Sequence, residues 1–199
     1  MLFAAGVSVS ENMFVAVAGT AIYSSFLAGL WLVVVRRRKL SWSDVGFRPV
    51  GGGAILAMIP AAIGLIFLNA LVVLATRSIV GDVPTAREQV LGDQLSMSGG
   101  EFAALLLLAA VVAPFVEELV FRGLLYRYMR ARRGAVVAAI GSAIAFALAH
   151  LVPALFLALF VIGFVLARVA ERYDSLIPPI TLHGLHNGTA ILLLFVTLN

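Results

Sequence analysis

A chain of 199 residues that is 62% hydrophobic and 12% charged, with mean hydropathy +1.08, lies outside the globular range. Its net charge of +4 does not point to nucleic acid, because the basic residues stand beside apolar runs, where they suit anionic headgroups and topology control. The absence of cysteine excludes disulfides, thiolate metal ligands and a thiol nucleophile.

A hydrocarbon core of ~30 Å takes ~20 apolar residues per helix, which leaves room for about six spans joined by short loops. The expected fold is an all-α, polytopic transmembrane helical bundle forming one membrane domain over 1–199. Residues 1–12 are a short lead with neither a positive n-region nor a small-residue cleavage site, so no removable signal peptide is expected. Met13–Val35 is the first predicted span, closed by Arg36-Arg37-Arg38-Lys39. Trp31 and Trp42 bracket that basic run, as interfacial aromatics do. Ala54–Thr76 is the second span, with Pro60 and Gly64 as candidate kink points. Arg77–Glu101 is polar and holds Gly81, Pro84 and Gly99-Gly100, so it reads as a loop, with a short surface helix over Pro84–Leu95.

Phe102–Tyr126 is the third span. Pro114 removes one backbone bond there and predicts a kink just before Glu117. Ala135–Leu151 and Pro153–Val169 are the fourth and fifth spans, Arg168–Pro179 a mixed-charge turn, and Ile180–Leu198 the last span. Loops 36–53, 127–134 and 168–178 together carry 11 Lys and Arg, against 2 in 77–101 and 152–153. The positive-inside rule places the basic loops in the cytoplasm and both termini outside. The compact loops suit a multi-pass protein of a prokaryotic cell membrane.

Charges at membrane depth cost ~2.5–3.5 kcal/mol each on insertion scales, so those a chain retains carry a function by default. Glu117, Glu118 and Arg122 stand together in the third span, and His150, His183 and His186 fall in the last three. The first two spans show no ionisable side chain in their interiors, which divides the chain into an apolar front and a polar-lined back half. Glu118 and Arg122 are i,i+4 and share a helix face, as do Phe146 and His150, and His183 and Asn187. Arg122 is expected to neutralise Glu118, leaving Glu117 free to face the histidines. A carboxylate beside an imidazole can take a proton from water, while a second imidazole and a carboxamide donate to a developing oxyanion. The same residues allow another chemistry, in which Glu117, His150 and His183 hold a divalent metal such as zinc whose bound water is the nucleophile. Both amount to peptide hydrolysis inside a membrane cavity. Depth sets one difficulty: Glu117 lies about 15 Å in from Arg127, His183 about 6 Å in from Pro179 and His150 roughly 24 Å in from Gly134.

Glu117-Glu118-x-x-x-Arg122, then Phe146-x-x-x-His150, then His183-x-x-x-Asn187 resemble the three motifs of the CPBP family. That family comprises the type II CAAX prenyl endopeptidases and the bacteriocin-processing or self-immunity membrane proteins. The resemblance covers residues 102–199, with 13–101 matching only as generic spans and a loop. It implies an intramembrane endopeptidase whose substrate is a membrane protein or a lipidated peptide. Carried over, it makes Glu117 and His150 the water-activating pair and His183 and Asn187 the oxyanion donors. Glu118, Arg122 and Phe146 become supporting residues. Either a metalloprotease or a metal-free glutamate mechanism is compatible with the family, and His186 is an addition between its last two motif positions. Two other classes compete. A non-enzymatic scaffold or immunity protein would bind a peptide or partner without cleaving it. A proton-coupled carrier would show an inverted repeat and a continuous polar path, and neither is evident.

Overall fold

The computed structural model describes residues 11–81 and 98–198, and every regular element among them is helical. The lead before residue 11 and the surface helix expected over Pro84–Leu95 lie outside the described residues. α1 is Glu11–Leu30, continued by a widened stretch at Trp31–Arg37. α2 is the short Gly52–Leu56 and α3 is Met58–Val80. α4 runs over 99–133 and α5 over 135–149, the two joined at Gly134. α6 is Phe156–Tyr173 and α7 is Ile177–Leu198.

Helix ends follow from local chemistry. Ser98 caps α4 and Glu101 reaches back to it, a capping box that moves the helix start ahead of the expected Phe102. α4 also does not stop at Tyr126. It continues to the glycine break, where Gly134 (φ 79°) turns the chain back as α5. α7 starts earlier than Ile180, because Ser175 Oγ accepts from the Ile177 amide at 3.2 Å. Pro178 and Pro179 then fall in the first turn, where their missing N–H groups cost nothing. Pro60 likewise sits in the first turn of α3, and the break there is at Ala57, just before it.

Four helices among the described residues are long and apolar enough to cross a membrane: Gly52–Val80, Gly99–Ala149, Pro153–Tyr173 and Ile177–Thr197. Val17–Leu30 is a shorter apolar helix. The second of the four comprises two arms meeting at Gly134, so the described chain folds as six apolar helical segments. The bundle turns Ile63, Phe67, Leu71, Leu107 and Val136 outward. Side chains of that kind belong in lipid, and the protein is an integral membrane protein.

The core forms where α3, α5, α6 and α7 meet, with Met58, Leu65, Phe146, Ile162, Leu166 and Leu182 in one cluster. At one end of the bundle the three basic loops touch. Asp174 pairs with both Arg48 and Arg127, Ser175 Oγ donates to the Arg48 carbonyl at 2.7 Å, and the Leu176 amide donates to the Gly46 carbonyl at 2.8 Å. Loops 36–53, 127–134 and 168–178 therefore share one end, as the charge count requires.

That arrangement removes the depth difficulty. The spread in expected depth comes from unlike origins, because α4 does not end at Tyr126. Measured from the turn at Gly134, Glu117 lies 17 residues before it and His150 lies 16 after it, so the two arms bring them level. The turn at 174–176 packs beside Gly123 and Arg127 instead, and α4 runs on past it. His183, a few residues into α7, thereby reaches Glu118 and Glu117.

Candidate active site

The site begins with Pro114. Ahead of it α4 widens over Leu108–Val112, where the Ala113 amide bonds back five residues to Leu108. In that register Ala109 would need an N–H from residue 114, which proline lacks. The freed Ala109 carbonyl instead accepts from Asn187 Nδ2 of α7 at 3.1 Å. Ala110, the ordinary acceptor one turn before the proline, points its carbonyl at Gly184, where a Cβ would stand only 2.4 Å away. The expected kink is thus a widened turn five residues ahead of Glu117, and α7 docks into it. Glu117 and Glu118 close the regular segment Ala113–Glu118, and a second widened stretch, Leu119–Tyr126, follows them. Widened turns of this kind collect at functional sites.

Glu118 and Arg122 are both fully buried and pair at 2.8 Å, as their i,i+4 spacing predicts. Arg122 Nη2 also donates to the Gly163 carbonyl of α6 at 2.7 Å, and its guanidinium lies 4.7 Å from the Phe146 ring centre. Gly163 allows this approach, since a Cβ there would meet Ala143 and Phe146 at 3.1 Å. The same Glu118 oxygen accepts from His183 Nδ1 at 3.1 Å. A carboxylate can only accept, so the Nδ1 of His183 carries a proton and its Nε2 is turned elsewhere.

Nε2 faces Glu117, 3.9 Å from its Oε2, a separation too long for a direct hydrogen bond. The other oxygen of Glu117 accepts from the Tyr23 hydroxyl at 2.6 Å. Glu117 and Tyr23 line a cavity of about 490 Å³ together with Ile22, Phe26, Val120 and His150. His150 Nδ1 donates to the Phe146 carbonyl at 2.8 Å, which leaves its Nε2 as the acceptor. Phe146 is wall and spacer: its ring centre lies 4.6 Å from that of His150 and 5.7 Å from that of His183.

The structure thus brings Glu117, Glu118, Arg122, Phe146 and His183 into contact and puts His150 on the same cavity as Glu117. Asn187 is held one turn further along α7, one amide hydrogen on Ala109 and its Oδ1 3.2 Å from His186 Nδ1. His186 therefore keeps company with Asn187, while His183 alone reaches the acidic pair. One participant escaped the sequence reading. Tyr23 is an ionisable side chain inside the first span, so the front of the molecule is not featureless. The signal was there in the spacing Gly19, Tyr23, Leu27, which marks one face of a helix.

Whether these residues fit a metal is a question of convergence. Among the described residues no three His, Asp or Glu side chains gather closely enough to hold an ion. The suggested trio Glu117, His150 and His183 does not fit one in this arrangement, and no step below passes through a metal.

Apolar helices packed round a buried carboxylate and two imidazoles define a polytopic membrane protein that keeps its polar chemistry within the bilayer. Residues 99–189 match the family model described as Type II CAAX prenyl endopeptidase Rce1-like. The resemblance carried by the three motifs is borne out there, and the protein is a CAAX-protease-like intramembrane endopeptidase whose substrate is a peptide or membrane protein. No curated protein and no solved structure shows a match to the chain.

Proposed function

We propose that this protein hydrolyses a peptide bond of a membrane-associated or lipidated peptide with a water activated by Glu117 and His150. The observation that carries the proposal is the placement of Glu117, which offers one oxygen to Tyr23 and turns the other toward His183 Nε2, in a cavity that His150 also lines. Glu117 takes a proton as the water oxygen attacks the scissile carbonyl carbon. His183, held by Glu118 through Nδ1, donates from Nε2 in its imidazolium form to the oxyanion that develops, and the second amide hydrogen of Asn187 is assigned to the same oxygen. The proton held by Glu117 passes to the leaving nitrogen as the C–N bond breaks. Arg122 holds Glu118 in place. The positive-inside rule assigns the basic end of the bundle to the cytoplasm.

The experiment is cleavage of a membrane-peptide pool by purified protein, read by mass spectrometry, with Glu117→Ala and His150→Ala as controls and a chelator arm. Defined products from the wild type, lost in both variants and retained with chelator, are expected. Products that survive Glu117→Ala would overturn the assignment. Loss on chelation with recovery by zinc would replace the metal-free mechanism. A biological phenotype unchanged by Glu117→Gln would favour a scaffold.

A further inference from the structure

α1 lies outside the stretch that matches the family, so nothing in that match assigns it a role. Its residues Gly19, Tyr23, Leu27 and Leu30 nevertheless form one stripe against the rest of the bundle. Gly19 lets the helix approach until a Cβ there would stand 2.7 Å from Leu108 Cδ2, and the Leu108 side chain caps that contact. Leu27 and Leu30 pack on the cluster of Val45, Leu119 and Leu176. Between these two apolar anchors the stripe presents a phenol, whose hydroxyl reaches Glu117 Oε1 at 2.6 Å.

We infer that Tyr23 is a positioning residue for Glu117, supplied by a helix beyond the matched domain; the inference rests on the proteolytic reading above. A glutamate has three rotatable bonds, and this one sits in a short regular segment between two widened stretches of α4. A short hydrogen bond from a neutral donor to a carboxylate is stronger than one between neutral groups and restrains the oxygen it meets. With Oε1 committed to Tyr23, Oε2 is the oxygen left to face His183. Glu118 cannot serve in its place, because it is fully buried off the cavity and its Oε1 is held by Arg122 and His183. Ile22 and Phe26, both exposed, flank Tyr23 on the cavity wall, so α1 supplies one side of that cavity as well as the tether.

Tyr23→Phe keeps the ring and its packing and deletes only the hydroxyl. For the peptide the wild type cleaves, kcat is expected to fall about tenfold, the scale of one hydrogen bond to a charged group. KM should stay within about twofold and the unfolding midpoint in detergent should not move. A purely structural tyrosine would lower the midpoint and leave the kcat of the folded fraction intact. The inference is overturned if Tyr23→Phe matches the wild-type kcat while Glu117→Ala is inactive, or if the loss appears in KM alone. If the wild type cleaves no better than Glu117→Ala, the proteolytic reading itself falls, and the role of Tyr23 falls with it.

Discussion

Arginine meets carboxylate in two regions of this molecule, and the two are built on opposite terms. In the bundle interior Glu118 and Arg122 are sealed from solvent, and each has a further partner on another helix: His183 for the acid, the Gly163 carbonyl for the base. At the loop end Asp174, 63% exposed, is shared by Arg48 and Arg127, and Glu171 takes Arg130 and the Tyr126 hydroxyl. The interior pair has no water to replace a lost partner, so its members are obligatory to one another. The loop-end charges are shared between partners and wet, so the loss of one is absorbed. The comparison separates what holds the site from what orients the protein in its membrane.

The strongest way to break the interior pair is Arg122→Met, which strands a buried carboxylate. The expected cost is about 3–5 kcal/mol of stability, read as loss of folded protein and a lowered unfolding midpoint in detergent. The double variant Glu118→Gln/Arg122→Met removes both charges and should recover much of the stability, though not the cleavage, since His183 then lacks its anionic anchor. Equal instability of the single and double variants would show that packing, not charge pairing, governs this spot.

Next in size is the contact that delivers His183. Gly184→Ala would drive a methyl into the Ala110 carbonyl, which stands 2.4 Å from where that Cβ would lie. The neighbour is backbone and cannot swing aside, so a cost of about 1–3 kcal/mol is expected, with a fall in kcat as α7 is levered away from Glu118. Gly141→Ala should be milder, because the clash there is with the end of the flexible Met129 side chain. If the two variants behave alike, the widened turn at Leu108–Val112 is softer than its geometry suggests.

How much of this could be read in the sequence divides along the same line. The Glu118–Arg122 pair follows from i,i+4 spacing, and the shared end of the three basic loops follows from counting charges, because both are local or compositional. The level at which His150 meets Glu117 was missed because it depends on where a helix turns. An apolar run does not show whether α4 stops at Tyr126 or runs to Gly134, and only the left-handed backbone at that glycine decides it. The capping box Ser98-Gly99-Gly100-Glu101 was legible and was read as loop on account of its two glycines. Tyr23 was obscured by its surroundings: a tyrosine in an apolar run is ordinary, and only the approach of α1 to α4 makes it a partner of Glu117. The docking of Asn187 on Ala109 depends on a carbonyl freed by a proline 73 residues before it in the chain, which no spacing rule reports.

The loop end should answer more quietly. Arg130→Ala removes an ion pair whose arginine is half exposed, and the Tyr126 hydroxyl continues to hold Glu171. A small decrease in the unfolding midpoint is expected at low salt, closing at about 0.5 M salt as the charges are screened. A decrease that persists at high salt would mean that this pair behaves like the interior one.

The smallest effect belongs to Asp44, at the outer edge of the same end. Its carboxylate accepts from the Ser41 amide at 2.8 Å and the Ser41 hydroxyl at 2.6 Å, while its own amide donates to Ser41 Oγ at 3.2 Å. These bonds, with a lesser contribution from the charge of Arg48, hold the carboxyl below its ordinary value of 3.8. A carboxyl whose folded value is depressed stabilises the fold wherever it is ionised in both states, and that contribution is lost as pH falls through the folded value. The difference in unfolding midpoint between wild type and Asp44→Asn should therefore be flat from neutral pH down to about 5 and shrink toward zero below the ordinary carboxylate range. Because the group is fully exposed, the plateau should be lower than for any substitution in the interior. A difference that grows on acidification would reverse the sign and show that the Ser41 turn prefers the protonated acid.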